Sequence, residues 1–380
     1  MNRHAPPSQA VAVCIDTRDG SGRKRLYGVA QYAQRQGWRT MLIRRSGREA
    51  AQEVVRLRPA GIIAYIANRW LAEAAHRLAV PLVDTAIGDV EVPMVVSLDP
   101  DGIGRLAAEH FLGLGLEHFA YCGVRGPISS CERHDSFAAH LAPRGHKLHA
   151  FAQGVHEGES RIEPLIRWLQ GLPKPVGVLA YDDSLGERLL TACRWGGLSV
   201  PAQIAVLGIG NDELMCEVSW PSLSSISLPI HRLGFQAAEM LDQAMAGRAI
   251  REPFQRVLPT GVEVRASTDM LAVDDAMVKA AVRFIREHAG ESIGIKHIAR
   301  ALDISRRTLD RRFADVLGRT VHEELTAVRM QMARNLLTGP TSIAAIARGC
   351  GYTTSASFSR AFRQHVGCWP TDYRNEARLV

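Results

Sequence analysis

Residues 295–313 read IKHIARALDISRRTLDRRF, and residues 342–367 read SIAAIARGCGYTTSASFSRAFRQHVG. Each stretch opens on a short helical segment with its apolar residues on one side: Ile298, Ala299 and Leu302 in the first, Ile343, Ile346 and Ala347 in the second. A break follows, Asp303-Ile304 in one and Cys350-Gly351-Tyr352 in the other, and then a second helix. In the first copy Ser305 is a natural N-cap. Leu309 and Phe313 face inward, four apart, while Arg306, Arg307, Asp310 and Arg311 face outward. In the second copy Phe358 and Phe362 repeat the spacing, with Arg360 and Arg363 pointing forward. This is the layout of a helix-turn-helix, whose second helix enters the major groove of DNA. Between the copies, VHEELTAVRMQMARNLL carries apolar residues at 321, 325, 328, 332 and 336. That spacing predicts one helix of roughly 25 Å at about 1.5 Å per residue, a spacer suited to two recognition helices about one DNA turn, roughly 34 Å, apart. The hydroxyl-rich start of the last helix, Thr353 to Ser359, is poor helix material but suits a helix N-terminus that meets phosphates.

The charge distribution points the same way. The chain of 380 residues carries a net charge of +7; residues 275–380 hold 17 basic and 10 acidic side chains, so the whole excess lies there and the first 274 residues are neutral. Such asymmetry is the electrostatic footprint of nucleic-acid binding. The seven cysteines (14, 122, 131, 193, 216, 350 and 368) are scattered and never form C-x-x-C, which argues for reduced thiols in a cytoplasm. The opening MNRHAPPSQAVAVCID has an apolar run too short for a signal peptide, and no stretch approaches the roughly 18 apolar residues that span a bilayer. A cytoplasmic protein with no membrane contact is expected. The fourteen histidines show no ligand spacing, so neither metal nor cofactor is expected. No G-x-S-x-G or H-E-x-x-H occurs, and GSGRK at 20–24 lacks the P-loop spacing.

Residues 1–268 have another texture. Short apolar runs such as AVAVC, GIIAYI, FAYCGV, VGVLAYDD and IAVLGIGND alternate with amphipathic helical stretches. Apolar strands between helices mark a parallel sheet covered on both faces. The length favours two α/β lobes, with a ligand at the strand C-terminal ends between them. The expected organisation is therefore an α/β two-lobed sensor at 1–268, a linker at 269–275 and an all-α double helix-turn-helix domain at 276–380.

Two resemblances sharpen this reading. Residues 276–376 resemble the AraC/XylS-type DNA-binding domain through S-x-x-x-L-x-R-x-F (Ser305 to Phe313), I-A-x-x-C-G-Y (Ile346 to Tyr352) and F-S-R-A-F-R (Phe358 to Arg363), followed by Gly367, Pro370, Tyr373 and Arg374. The resemblance implies base-facing Arg306, Arg307, Asp310 and Arg311, capped by Ser305, in the first recognition helix. In the second it implies Ser355, Ala356, Ser359 and Arg360, with Thr354 and Arg363 nearer phosphates. Some arginines are expected merely to be solvated, Arg312 and Arg319 among them.

The sheet region resembles the LacI/GalR-type, periplasmic-binding-protein-like (type I) sensor. The likeness rests on DPDGIGRLAAEHFLGLGLEHFAYCG (99–123), LAYDDSLGERLL (179–190) and VPAQIAVLGIGNDELMCEVSWPSLSSISLPIHRLGFQAAEMLDQ (200–243). No LacI-type headpiece is expected ahead of the first strand. By this resemblance the cleft uses an arginine four before a phenylalanine, here Arg133 before Phe137, and Asp182 ahead of Asp183. Where an aspartate normally grips sugar hydroxyls stands Gly210, with Asn211 and Asp212 beside it; Asp16 and Asp99 complete the candidate effector residues. The two likenesses together imply a transcription regulator, an activator on the AraC side. It would respond to a sugar or related polyol, bind double-stranded operator DNA as a homodimer and work with RNA polymerase. The rivals are a DNA-binding regulator with a non-sugar effector and an amidotransferase-like enzymatic domain with Cys122 at its strand end, which needs a histidine to activate the thiol; a structural cysteine and no enzyme is the expectation.

Overall fold

In a computed structural model, residues 9–154, 162–269, 275–317, 320–337, 339, 341–366 and 368–378 are described. The chain first lays down β1 (Ala10–Cys14), α1 (Gly20–Gln36), β2 (Arg39–Leu42), α2 (Gly47–Leu57), β3 (Gly61–Ala64), α3 (Arg69–Leu78), β4 (Leu82–Asp84) and β5 (Met94–Leu98). A second lobe follows with α4 (Pro100–Gly113), β6 (His118–Arg125), α5 (Ile128–Leu141), β7 (Leu148–Gly154), α6 (Glu163–Gly171), β8 (Val176–Ala180), α7 (Asp183–Trp195), β9 (Ile204–Gly210), α8 (Glu213–Val218) and β10 (Ser224–Ser227). The chain returns to the first lobe with α9 (Ile230–Met245) and β11 (Phe254–Val257), then crosses again to β12 (Gly261–Glu263).

Each lobe is one six-stranded sheet, ordered β11-β5-β4-β3-β1-β2 in the first and β12-β10-β9-β8-β6-β7 in the second. All pairings are parallel except β10 with β12. Two distant strands, β11 and β12, thus complete sheets begun far earlier, and the lobes are joined by three crossings: at Asp99, at Leu228-Pro229 and at residues 258–260.

The apolar runs are buried as their composition requires. In the first lobe α1 and α9 cover one face through Val29, Tyr32, Leu233 and Ala237. The helices α2 and α3 cover the other through Ala50, Val54, Leu71 and Ala75. In the second, Phe111 and Phe137 from α4 and α5 seal one face, and Leu165, Leu169, Leu185 and Leu189 from α6 and α7 the other. Full burial of each such large apolar side chain contributes roughly 1.5–3 kcal/mol. The crossing of α1 and α9 depends on two glycines. A Cβ on Gly28 would stand 2.0 Å from the carbonyl oxygen of His231, and one on Gly234 would stand 2.1 Å from that of Arg25. This backbone contact sets where Arg25 emerges.

The C-terminal region is helical throughout its described residues: α10 (Ala276–His288), α11 (Ile295–Ala301), α12 (Arg306–Leu317), α13 (Val321–Leu337), α14 (Ile343–Gly349), α15 (Ser355–Val366) and α16 (Pro370–Arg378). It has two small cores. One gathers Val278, Ile285, Ile298, Leu309, Phe313 and Leu325; the other gathers Met330, Ala333, Leu337, Ile346, Phe358 and Phe362. The helix α13 serves both, and this overturns part of its expected face. It buries Val321, Leu325, Met330, Ala333 and Leu337, while Leu336 is 39% exposed and Val328 and Met332 are half-buried. A single 3.6-residue stripe cannot face two cores, so the buried stripe shifts halfway along.

The shift passes through Arg329, only 8% exposed. Its Nε donates to the carbonyl of Ala289 (3.0 Å), and its Nη2 donates to those of Glu291 (2.8 Å) and Ile293 (3.1 Å). Its guanidinium also lies 5.4 Å from the Tyr352 ring centroid. Gly351, at φ 73°, packs so closely here that a Cβ would stand 2.3 Å from the Glu291 carbonyl. One arginine therefore ties the two helix-turn-helix units together.

Candidate effector cleft and DNA-binding surface

The strand ends facing the gap between lobes carry a pair of matching constellations. In the first lobe, Arg25 of α1 lies over Tyr65, the residue after β3, with 4.2 Å from Cζ to the ring centroid. In the second, Arg133 of α5 lies over Tyr181, the residue after β8, at 4.6 Å. Each pair joins the helix after the lobe's first strand to the end of its third strand, so the two lobes present the same device from opposite walls. Arg133 also donates through Nη1 to the Tyr181 carbonyl. Both arginines are buried, at 4% and 9% exposure. Burial holds the Arg25 guanidinium below its ordinary pKa, with Tyr65, Asp19 and Asp84 acting against the shift.

These residues line a cavity of about 130 Å³ together with Asp19, Ser97, Ser129, Glu132, Asp182 and Gly210. That is well below the roughly 300–1,000 Å³ of drug-sized pockets, so the site suits a small molecule. Ser129 and Tyr181 share a 3.0 Å hydroxyl contact. Across the mouth the lobes are clasped by Arg256 of β11 with Glu132 of α5 at 3.2 Å, and by Lys24 Nζ donating to the Asn211 carbonyl at 3.0 Å.

Of the six expected effector residues, Arg133 and Asp182 line this cavity. Asp182 also caps α7, accepting from the Leu185 N–H at 2.8 Å, and burial raises its carboxyl pKa. Asp99 caps α4 in the first crossing through the Gly102 N–H at 2.9 Å. Asp212 caps α8 through the Met215 N–H at 3.5 Å, and its backbone N–H donates to Asp183 at 2.8 Å. Asn211, at φ 48°, donates through Nδ2 to Ser227 at 3.0 Å and leaves its Oδ1 buried without a partner. Asp16 lies elsewhere: it is paired with Arg18 at 2.5 Å on a separate groove of about 490 Å³ at the ends of β1, β2 and β3.

Sequence reasoning missed Arg25, Tyr65, Ser97 and Tyr181. A signal existed, since Arg25 shares the buried face of α1 with Gly28, Val29 and Tyr32, and GIIAY at 61–65 parallels VGVLAY at 176–181.

In the helical region Ser305 forms the expected cap, and Thr354, expected nearer phosphates, caps α15. Ser305 Oγ accepts from the Thr308 N–H at 3.0 Å, and Thr354 Oγ1 accepts from the Ser357 N–H at 3.1 Å. Arg306, Arg307, Arg311, Thr354, Ser355, Ala356, Arg360 and Arg363 are exposed, while Asp310 and Ser359 are half-buried. Arg306 pairs with Asp310 at 3.4 Å, and Arg363 lies over Trp369 at 4.6 Å. Arg312 is not merely solvated as expected, because Asp275, the cap of α10, holds it at 2.8 Å. Arg319 lies outside the described residues. The strand-end Cys122 is fully buried, and burial pushes its thiol up to about 12, far from the thiolate a nucleophile requires. Among the described residues no three His, Cys, Asp or Glu side chains are placed to hold a metal, and no helix is long and apolar enough to cross a membrane.

Comparison with known proteins agrees with the two-part architecture. Residues 108–268 match the periplasmic binding protein-like domain family, and residues 298–376 match a helix-turn-helix domain family. The chain is a DNA-binding transcription regulator of the AraC type with a periplasmic-binding-protein-like effector domain, and not an enzyme. Within that class it is a regulator like the xylose operon regulatory proteins. It is 29% identical to that of Escherichia coli strain K12 over 319 residues, 77% of this chain and 81% of the relative. To that of Haemophilus influenzae it is 28% identical over 286 residues, 73% and 74% of the two chains. The solved structure of the "xylose-binding transcription activator xylR" superposes with a TM-score of 0.59 at 26% identity, covering 97% of this chain and 98% of that one.

Proposed function

We propose that the chain is a transcription activator whose DNA binding is set by a small sugar-like effector held between the two lobes. The carrying observation is the small cavity walled by Arg25 on Tyr65 and Arg133 on Tyr181, one pair from each lobe. Arginine forks and hydroxyls satisfy the adjacent oxygens of a polyol. The related xylose operon regulators and the xylose-binding relative support a sugar.

On DNA, Arg306, Arg307, Asp310 and Arg311 face bases in the first groove. Ser355, Ala356, Ser359 and Arg360 do so in the second, with Thr354 and Arg363 toward phosphates and Ser305 capping the first recognition helix. Arginine suits guanine because its fork matches O6 and N7. The protein works in the cytoplasm as a homodimer on repeated half-sites, where the second contact gains effective concentration, and it engages RNA polymerase from there. The working units are residues 1–268 for the effector and 276–380 for DNA, joined by 269–275.

A thermal-shift screen of the full chain against pentoses, hexoses and sugar acids tests the effector reading. A ligand at 100 times its dissociation constant stabilises the fold by about 2.7 kcal/mol, a readily measured rise in melting temperature. If no compound of these classes moves the transition, the sugar-like effector is refuted.

A further inference from the structure

The polar groups of the cleft are unevenly satisfied. Asp19 caps α1 through the Gly22 N–H at 2.5 Å. Asp182 caps α7, and Glu132 is paired with Arg256. Behind the wall, Asp84 accepts the N–H groups of Ala67 at 2.7 Å and Ala86 at 3.3 Å. Every carboxylate around the cavity thus has a role in the fold. Two polar groups in the wall do not: Arg25, whose Nε is buried without a hydrogen-bond partner, and Ser97, whose Oγ is likewise buried and unpaired. Each residue is 4% exposed. Arg25 makes no salt bridge among the described residues and rests only on the face of Tyr65.

A buried guanidinium is costly to remove from water; Asp19 and Asp84 favour its charge, but neither forms an ion pair with it, and its Nε stays unsatisfied. On the opposite wall the carboxylates of Glu132 and Asp182 are already engaged. Gly210 has φ 128°, and a Cβ there would stand 3.0 Å from Asp183 Oδ2, so that stretch offers backbone alone. Arg133 already donates to Tyr181. The cavity therefore leaves open a planar fork of donors with a hydroxyl in the same wall. The oxygens of a neutral sugar can accept from Arg25 but bring no charge to offset the buried guanidinium; a carboxylate matches both its charge and its fork.

We propose that the effector is a sugar acid, an aldonic or uronic acid of pentose or hexose size, whose carboxylate binds Arg25 in the first lobe. This rests on the reading of the interlobe cavity as the effector site. A phosphate ester is disfavoured, because the roughly 130 Å³ cavity offers one uncommitted guanidinium for a group that carries two charges.

Isothermal titration of the full-length protein with D-xylonate and D-gluconate, against D-xylose, D-glucose and glucose 6-phosphate, decides the matter. The expected result is binding of an acid at least ten-fold tighter than its parent sugar. Arg25→Met should abolish that difference with little change in the melting temperature of the ligand-free protein, since it removes a buried charge that forms no ion pair. Arg25→Lys, which keeps the charge but loses the fork, should retain part of the preference. A neutral sugar bound as tightly as its acid, or tight binding of the phosphate ester alone, overturns the carboxylate while leaving a sugar-like effector in place. An acid preference undiminished in both variants overturns the role of Arg25. Failure of all five compounds to bind removes this inference together with the sugar-like effector itself.

Discussion

Asp84 shows how a single buried residue shapes the cleft without entering it. It lies at the end of β4, unexposed, and its two backbone hydrogen bonds fix the turns at 66–67 and 85–87, the latter lining the cavity. Burial raises its carboxyl from 3.8 to about 6. A folded pKa above the unfolded one means stability present below the unfolded value and lost as pH rises through about 6. The difference corresponds to about 3 kcal/mol. Thermal unfolding of the wild type and of Asp84→Asn between pH 4 and 7 measures it. The wild type should lose stability relative to the variant across that range, and a constant gap between them would show a carboxyl that titrates normally. Arg25 illustrates the complementary difficulty. Its place on the buried face of α1 is visible in the spacing, but the sequence does not say that this face ends at a cleft. That follows from the Gly28–Gly234 contact with a helix two hundred residues away.

At the scale of elements, the local signals were the legible ones. Apolar runs marked most strands, Ser305 marked the start of α12, and paired inward residues four apart marked both recognition helices. Features that depend on distant partners escaped. The strands β11 and β12 are short, and they exist because β5 and β10 leave edges for them. The face of α13 was misplaced because two cores compete for it and Arg329 fills the gap between them. Among the hydroxyls that open α15, Thr354 and Ser357 satisfy the helix start between themselves. Arg360 is exposed one turn further on, and the proposed function has it read bases beside Ser355, Ala356 and Ser359. Arg360→Ala should weaken specific binding by about 1–3 kcal/mol, as expected for one bidentate base contact, with non-specific binding little changed. Competition binding against selected and random duplexes measures this, and equal losses on both would reassign Arg360 to the phosphate backbone.

Across the whole molecule, the two parts meet where the lobes are joined. Tyr373 of α16 donates through its hydroxyl to the Thr260 carbonyl at 3.3 Å, and Thr260 lies in the third crossing between lobes. Thr260 is itself bonded to Ser227, at the end of β10, through its N–H at 2.9 Å and its hydroxyl at 3.2 Å. Nearby, Glu324, Ala327, Val328 and Met332 of α13 face His110, Leu114 and Val262 of the second lobe across a groove of about 570 Å³. A change in the angle between lobes would act on the helical domain through the Tyr373–Thr260 hydrogen bond at its last helix. Effector control through this path requires that the effector bind the two arrangements with different affinity, and the coupling is reciprocal. The decisive measurement is fluorescence anisotropy on a DNA site selected by the protein from a random pool, with and without a saturating effector from the thermal screen. The account predicts at least a five-fold change in Kd, mirrored by an equal change in effector affinity when DNA is present. Identical DNA affinity with the effector demonstrably bound would contradict it.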